Sequence, residues 1–161
     1  MKTKDICFTN EKDWFRYRTG AFILKDDKML FVKSKFGGYF YMIGGGVGLG
    51  ETSADCIERE VLEETGIEVK VDRLAVVLEN FFKGVGGPID GLDCHAVEFY
   101  YLVKVLDDSK SFSKTDIGEE LVWLSVEEIK TSFFKPNFIP SNIDKILNSS
   151  NILHVIEESD R

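Results

Sequence analysis

The chain has 161 residues, 43% hydrophobic and 30% charged, the balance of one core-forming domain over residues 1–161 rather than a disordered segment. Its formal charge of −8 argues against long DNA or RNA as a partner, since affinity for a polyphosphate chain comes from Lys and Arg; a small phosphorylated ligand that brings divalent cations stays compatible. No apolar run reaches the ~18–20 residues of a bilayer span, the start from Met1 to Asn10 lacks the apolar core of a secretory signal, and Cys7, Cys56 and Cys94 form no C-x-x-C pair and no even set, so the expectation is a reduced, cytoplasmic protein with no membrane contact.

In chain order, residues 16–25 and 28–33 are apolar-rich runs on either side of Asp26-Asp27, which predicts an antiparallel hairpin with a tight turn. Residues 39–43 read as a short strand that ends at Gly44-Gly45-Gly46, and a loop runs from there to Glu51. Thr52 is a helix N-cap with Asp55 three residues on, and Gly66 closes that helix as its C′ residue. Residues 67–82 and 94–106, rich in β-branched and aromatic side chains, predict two longer strands joined by a glycine-rich, mobile connector over 84–93. Residues 121–124 suit a short strand, and Ser125 with Glu128 makes a capping box for a short helix. Pro140-Ser141 opens a third helix to Leu147, and 152–156 is a last strand. Strands with a few helices between them, without regular β-α-β alternation, give an α+β class with helices packed on a mixed sheet.

The chemistry concentrates in the helix after Thr52. At 100° per residue, Ala54, Ile57 and Val61 share one face and Glu60, Glu63 and Glu64 fall together on its flank. Carboxylates at i, i+3 and i, i+4 repel by about 0.2–0.5 kcal/mol per pair on an exposed helix, so a positive charge is needed to offset them. An oxygen-only cluster without Cys or His suits a hard cation, Mg²⁺ first and Mn²⁺ second. A solvated glutamate face is the plain alternative for an E-x-x-E-E helix taken alone.

The surrounding frame decides between these. Residues 44–67, GGGVGLGETSADCIEREVLEETGI, resemble the box of the Nudix family: a Gly, five residues, Glu, seven residues, then Arg-Glu-aliphatic-x-Glu-Glu-x-Gly-aliphatic. Gly45, Glu51, Arg59, Glu60, Val61, Glu63, Glu64, Gly66 and Ile67 meet every specified position. With each of the seven fixed residues at about 7% usage, a chance match in a chain this long has odds on the order of 10⁻⁶. The resemblance implies a Nudix-type α/β/α sandwich with a mixed β-sheet, and hydrolysis of the pyrophosphate bond of a nucleoside diphosphate linked to another group, with water attacking phosphorus and Mg²⁺ or Mn²⁺ as cofactor.

On that resemblance Glu60, Glu63, Glu64 and the Gly45 carbonyl are the metal ligands. Glu63 also activates the attacking water, Arg59 orients the glutamates, and Glu51 braces the loop. A general base outside the box falls to Glu98, Glu119 or Glu120, with Glu120 retained as a catalytic candidate. Arg16 and Arg18 are candidates for substrate phosphates, Tyr41 and Phe82 for stacking on a base, and the connector over 84–93 for a lid. The partner implied is a small nucleotide-type substrate. A homodimer, the commonest assembly of soluble chains, is allowed but not chosen by the sequence. Two other readings compete. An isoprenoid diphosphate isomerase would want a marked Cys and Glu pair, which Cys94 does not supply, and a non-catalytic sensor of nucleotide or ADP-ribose would have lost ligand glutamates that are all present here.

Overall fold

The structure, a computed structural model, describes residues 4–159. Its organising element is a long strand, β2 (Asp13–Lys25), which follows a short β1 (Cys7–Asn10). Asp26 and Asp27 turn the chain with φ of 51° and 60°; both are left-handed, as a two-residue hairpin turn that matches strand twist requires. The return strand is β3 (Lys28–Lys33), followed by β4 (Phe40–Tyr41) and β5 (Ile43–Gly46). Helix α1 (Ser53–Thr65) then leads into β6 (Glu68–Lys83) and β7 (Asp93–Asp107). The chain ends in β8 (Glu120–Ser125), α2 (Val126–Thr131), α3 (Phe138–Asn148) and β9 (Leu153–Ser159).

The sheet is mixed. β2 runs parallel to β7 from Asp13 to Ile23, β7 is antiparallel to β6, and β6 is parallel to β9. On its other edge β2 takes β1 and then β5 antiparallel, while its last two residues hand over to β3, which pairs with β8 and β4. Because side chains alternate across a strand, β2 builds two cores. Phe22, with Tyr100 of β7, packs under α2 and α3 against Ile139 and Ile143; Ala21 and Ile23, with Tyr101 and Val103, pack under α1 against Ile57 and Val61. Helices on both faces of a mixed sheet are the α/β/α arrangement expected.

Several boundaries differ from the sequence reading, each for a tertiary reason. β2 starts three residues earlier than expected because β1 pairs back on it, Cys7 opposite Arg16. α3 begins at Phe138, before Pro140, because Glu157 of β9 accepts from the Asn137 and Phe138 N–H groups at 2.7 and 3.2 Å and so caps the helix from far along the chain. The connector between β6 and β7 is a closed turn: Gly84 N–H donates to Leu92 O at 2.9 Å, Gly91 N–H donates back to Gly84 O at 3.0 Å, and a 3₁₀ turn (Gly87–Ile89) lies between them.

Candidate active site

α1 starts where Thr52 Oγ1 accepts from the Asp55 N–H at 3.0 Å and stops where Gly66 takes φ 72° and donates to Leu62 O, the cap pair read from the sequence. Its apolar stripe presses on the sheet, so the carboxylates on the flank border the core. Arg59 is the hub. It grips Glu51 bidentately, Nε to Oε1 at 2.8 Å and Nη2 to Oε2 at 3.0 Å, reaches Glu60 Oε1 with Nη1 at 2.7 Å, and lies within 3.4 Å of Glu63. These hydrogen bonds, Glu51's first, hold Arg59 above its ordinary pKa, and in return Arg59 holds Glu51 below the usual carboxylate range. Glu51 also accepts from Gly48 N–H at 3.0 Å, which ties the loop to the helix.

Gly45 lies directly against the Glu60 carboxylate, and any side chain there would have to displace it. A Cβ there would lie 2.5 Å from the Glu60 carboxyl carbon and 2.7 Å from both of its oxygens, so the glycine lets strand backbone come against the carboxylate. Glu64 is in the least favourable setting. Burial first, and Glu60 second, push its pKa up to about 7, against the pull of Arg18 and of the Gly44 N–H. Among the described residues no three acidic, His or Cys groups converge into a ready-made metal cage.

Two distant segments complete the surroundings. The chain between β7 and β8 crosses the end of α1, where Phe112 N–H donates to Thr65 O at 2.7 Å; a Cβ on Gly66 would meet Lys110 O at 2.3 Å, so that glycine serves the crossing as well as the cap. The crossing brings Asp116 close enough to raise Glu64 further and delivers Glu119, which accepts the Tyr41 hydroxyl hydrogen bond. Burial, then that bond, raise the Tyr41 pKa. Arg18 enters from β2. Burial opposes its charge, but Glu98, Tyr100 and Glu64 outweigh that and raise its pKa. Its Nε lies 3.3 Å from Glu98 Oε1, an ion pair too far off axis to count as a hydrogen bond.

The structure thus brings Gly45, Arg59, Glu60, Glu63, Glu64, Arg18 and Tyr41 together, with Glu98 behind Arg18, and commits four other candidates, Glu98 among them, to other contacts. Glu120 opens β8 opposite Lys33, 4.0 Å away and exposed. It is turned to the sheet face opposite α1, because strand alternation sends it one way and Glu119 the other. Glu98 is 2% exposed and already accepts from Asn80 Nδ2 at 3.1 Å and Tyr100 OH at 3.3 Å, which leaves it no freedom as a general base. Arg16 pairs with Asp5 at 3.4 Å beside the glycine loop. Phe82 packs edge-on against Trp14, four residues and about 13 Å along the strands from the Arg18 register. Asp116 was missed: it sits in an irregular segment with no periodic signal, and only the crossing over Gly66 makes it a neighbour of Glu64.

Residues 14–141 match the NUDIX domain family model. A "MutT-like protein" from Streptomyces ambofaciens is 36% identical over 66 residues, 41% of this chain and 43% of that protein's length, so the match spans less than half of that relative. Among solved structures, a NUDIX hydrolase from Nitrosomonas europaea superposes with a TM-score of 0.66 at 18% identity, over 89% of this chain and 79% of that one. A MutT protein from Bacillus halodurans gives 0.63 at 17%, over 89% and 90%, and an ADP-ribose pyrophosphatase from Streptococcus suis gives 0.60 at 19%, over 88% and 98%. At such identities these likenesses speak for the fold.

Proposed function

The chain belongs to the NUDIX family, and from that premise we propose that it is a pyrophosphohydrolase that uses a divalent cation, Mg²⁺ or Mn²⁺, to split the pyrophosphate bond of a nucleoside diphosphate linked to another moiety. The observation that carries this reading is Glu64: a half-buried carboxylate faced by Glu60, with its pKa pushed up to about 7, is stabilised as an anion by a cation placed between the two. The glycine cradle agrees, since Gly45 keeps open the backbone approach that any side chain would fill. The residues therefore fit a hard cation of the kind that takes few carboxylates and completes its shell with water and substrate oxygens. Glu60, Glu64 and the Gly45 carbonyl would hold it, and it would supply neutralisation of pyrophosphate charge.

The chain's own groups account for the rest. Arg59, fixed on Glu51, holds Glu60 in place and keeps the cluster from collapsing by repulsion. Arg18, immobilised against Glu98 and electrostatically coupled to Glu64, meets a phosphate oxygen of the substrate. Glu63, 53% exposed on its side chain, takes the proton of the attacking water as the water oxygen bonds to phosphorus and the bridging P–O bond breaks; no covalent enzyme intermediate is needed. Glu119 is committed to Tyr41, and that pair shapes the pocket wall instead.

The test is release of phosphate, pyrophosphate or nucleoside monophosphate from nucleoside triphosphates, dinucleoside polyphosphates, ADP-ribose and nucleotide sugars, with Mg²⁺, with EDTA, and with Glu64→Gln. Turnover of one substrate class that needs both the metal and Glu64 supports the proposal and names the class. Tight metal-dependent binding with no turnover anywhere on the panel would sink it in favour of a sensor.

A further inference from the structure

Beside the acidic cluster, three segments far apart in the chain meet in one corner. Tyr41, which the charge of Glu64 reaches, packs against Tyr39 at 6.3 Å between ring centroids, and Tyr39 meets Phe133 edge-on, also at 6.3 Å. The Lys135 ammonium stands over the Tyr39 ring, 4.7 Å from its centroid. A Cβ on Gly37 would come within 3.0 Å of Cδ1 and Cε1 of Tyr39, so the missing side chain keeps that side of the ring clear. Lys35, on the turn before Tyr39, donates to Ile117 O at 2.7 Å and ties the corner to the crossing between β7 and β8. Phe36, Ile117 and Phe133 are 89%, 66% and 54% exposed, which leaves an apolar rim open to water next to the site. The hydrogen-bonding capacity of this corner is one-sided. Its backbone groups bond one another, Ser34 N–H to Tyr39 O at 2.9 Å, Phe40 N–H to Phe133 O at 2.9 Å and Lys135 N–H to Phe40 O at 3.1 Å. Of the acids on the crossing, Glu119 is taken by the Tyr41 hydroxyl and Asp116 acts on Glu64. Apart from the Tyr39 hydroxyl, what remains to meet a ligand is the ammonium groups of Lys35 and Lys135, neither of which has a carboxylate partner among the described residues.

We propose, on the hydrolase reading, that this corner holds the base of the nucleotide and that Lys135 makes it choose: bases with a carbonyl oxygen on the ring edge, of the hypoxanthine, guanine or uracil kind, over bases with an amino group there, of the adenine or cytosine kind. Tyr39 and Phe133 supply affinity without choice, because every base has a face to stack on an aromatic ring. The choice falls to the ammonium, which only donates. It bonds a ring carbonyl oxygen, as lysine does in reading guanine, but sets an exocyclic amino group donor against donor. A polar group left facing the wrong partner in a partly dried corner costs more than the matched bond gains. Charge points the same way. In a chain of −8, two cations without a carboxylate partner at the mouth of an acidic site favour the electron-rich edge of a ligand.

Two matched pairs test it, ITP against ATP and UTP against CTP, since each exchanges one ring carbonyl for an amino group on an otherwise equal frame. Binding constants are measured by calorimetry on Glu64→Gln with Mg²⁺, which needs no turnover, and kcat/KM on the wild type. The carbonyl member of each pair is expected to be favoured by on the order of 10-fold or more in both measurements. Lys135→Gln should bring both ratios close to one and Lys135→Arg should keep them, while Tyr39→Ala weakens the two members of a pair alike. Lys135 is exposed, so its variants are expected to keep the wild-type melting curve, and the ratios of the unsubstituted corner need no variant there at all. Equal affinity within the pairs, a preference for the amino member, a preference that survives Lys135→Gln, or no binding of any of the four overturns the proposal. A carbonyl preference in binding that depends on Lys135, with no turnover of any nucleotide, would sink the hydrolase reading and leave this one standing.

Discussion

Glu64 and Glu98 lie on either side of Arg18, and their settings are opposite. Glu98 is nearly buried, yet Asn80, Tyr100 and Arg18 all address it. Glu64 is less buried, but it faces another carboxylate and has its pKa pushed up to about 7. Burial alone does not mark a working carboxylate. A buried group whose lone pairs all have donors is satisfied in place, whereas a half-buried one set against its own charge is the kind a cation would stabilise.

The comparison predicts where substitutions will hurt. Glu64→Gln is expected to cut turnover by on the order of 10²–10³-fold while the metal-free protein stays folded; a steady-state assay beside a melting curve checks it, and a variant with near-normal turnover would break the contrast. Arg59→Ala comes next, at about 10–100-fold in activity, because Glu51, Glu60 and Glu63 lose their shared cation. Arg59→Lys should rescue it only in part, since an ammonium cannot reproduce the bidentate grip on Glu51. Glu98→Gln should act mainly on stability, by about 2 kcal/mol, because it leaves Arg18 without its partner. Urea unfolding measures that, and a large fall in kcat with no loss of stability would put Glu98 among the catalytic groups.

The smallest effect sharpens the contrast through pH. The Glu64 carboxyl has an ordinary value of 4.5 and sits at about 7 in the fold. Below pH 4.5 both states hold the proton; between 4.5 and 7 the unfolded chain has released it and the folded one has not, so metal-free stability falls as pH rises through that window. The full difference is at most about 3 kcal/mol, less after solvent screening. In EDTA, wild type should lose more stability than Glu64→Gln between pH 4.5 and pH 8, and Mg²⁺ at pH 8 should restore it to the wild type alone. Equal slopes for the two proteins would remove the cation-site reading of Glu64.

Much of the site was legible because it is local. Glu60, Glu63 and Glu64 lie on one helical flank by their spacing, Arg59 comes one step before them, Thr52 and Gly66 bound the helix by their cap chemistry, and Gly45 stands a fixed short loop away. The less legible parts depended on strand facing. Glu119 and Glu120 are neighbours in sequence but face opposite sides of the sheet, and only the pairing of β8 with β3 assigns them. Arg16 and Arg18 share a face, yet one meets Asp5 and the other Glu98 and Glu64. Their sequence context does not distinguish them, because the difference lies in which strand runs alongside.

The sequence by itself determined the family, the α1 helix and the identity of its charged groups, since helical periodicity and capping act over a few residues and need no distant partner. Tertiary structure alone decided that Glu98 is satisfied by Asn80 and that the crossing over Gly66 brings Asp116 to Glu64. Those outcomes depend on register between strands far apart in the chain, which is set by how the whole sheet closes on its two cores.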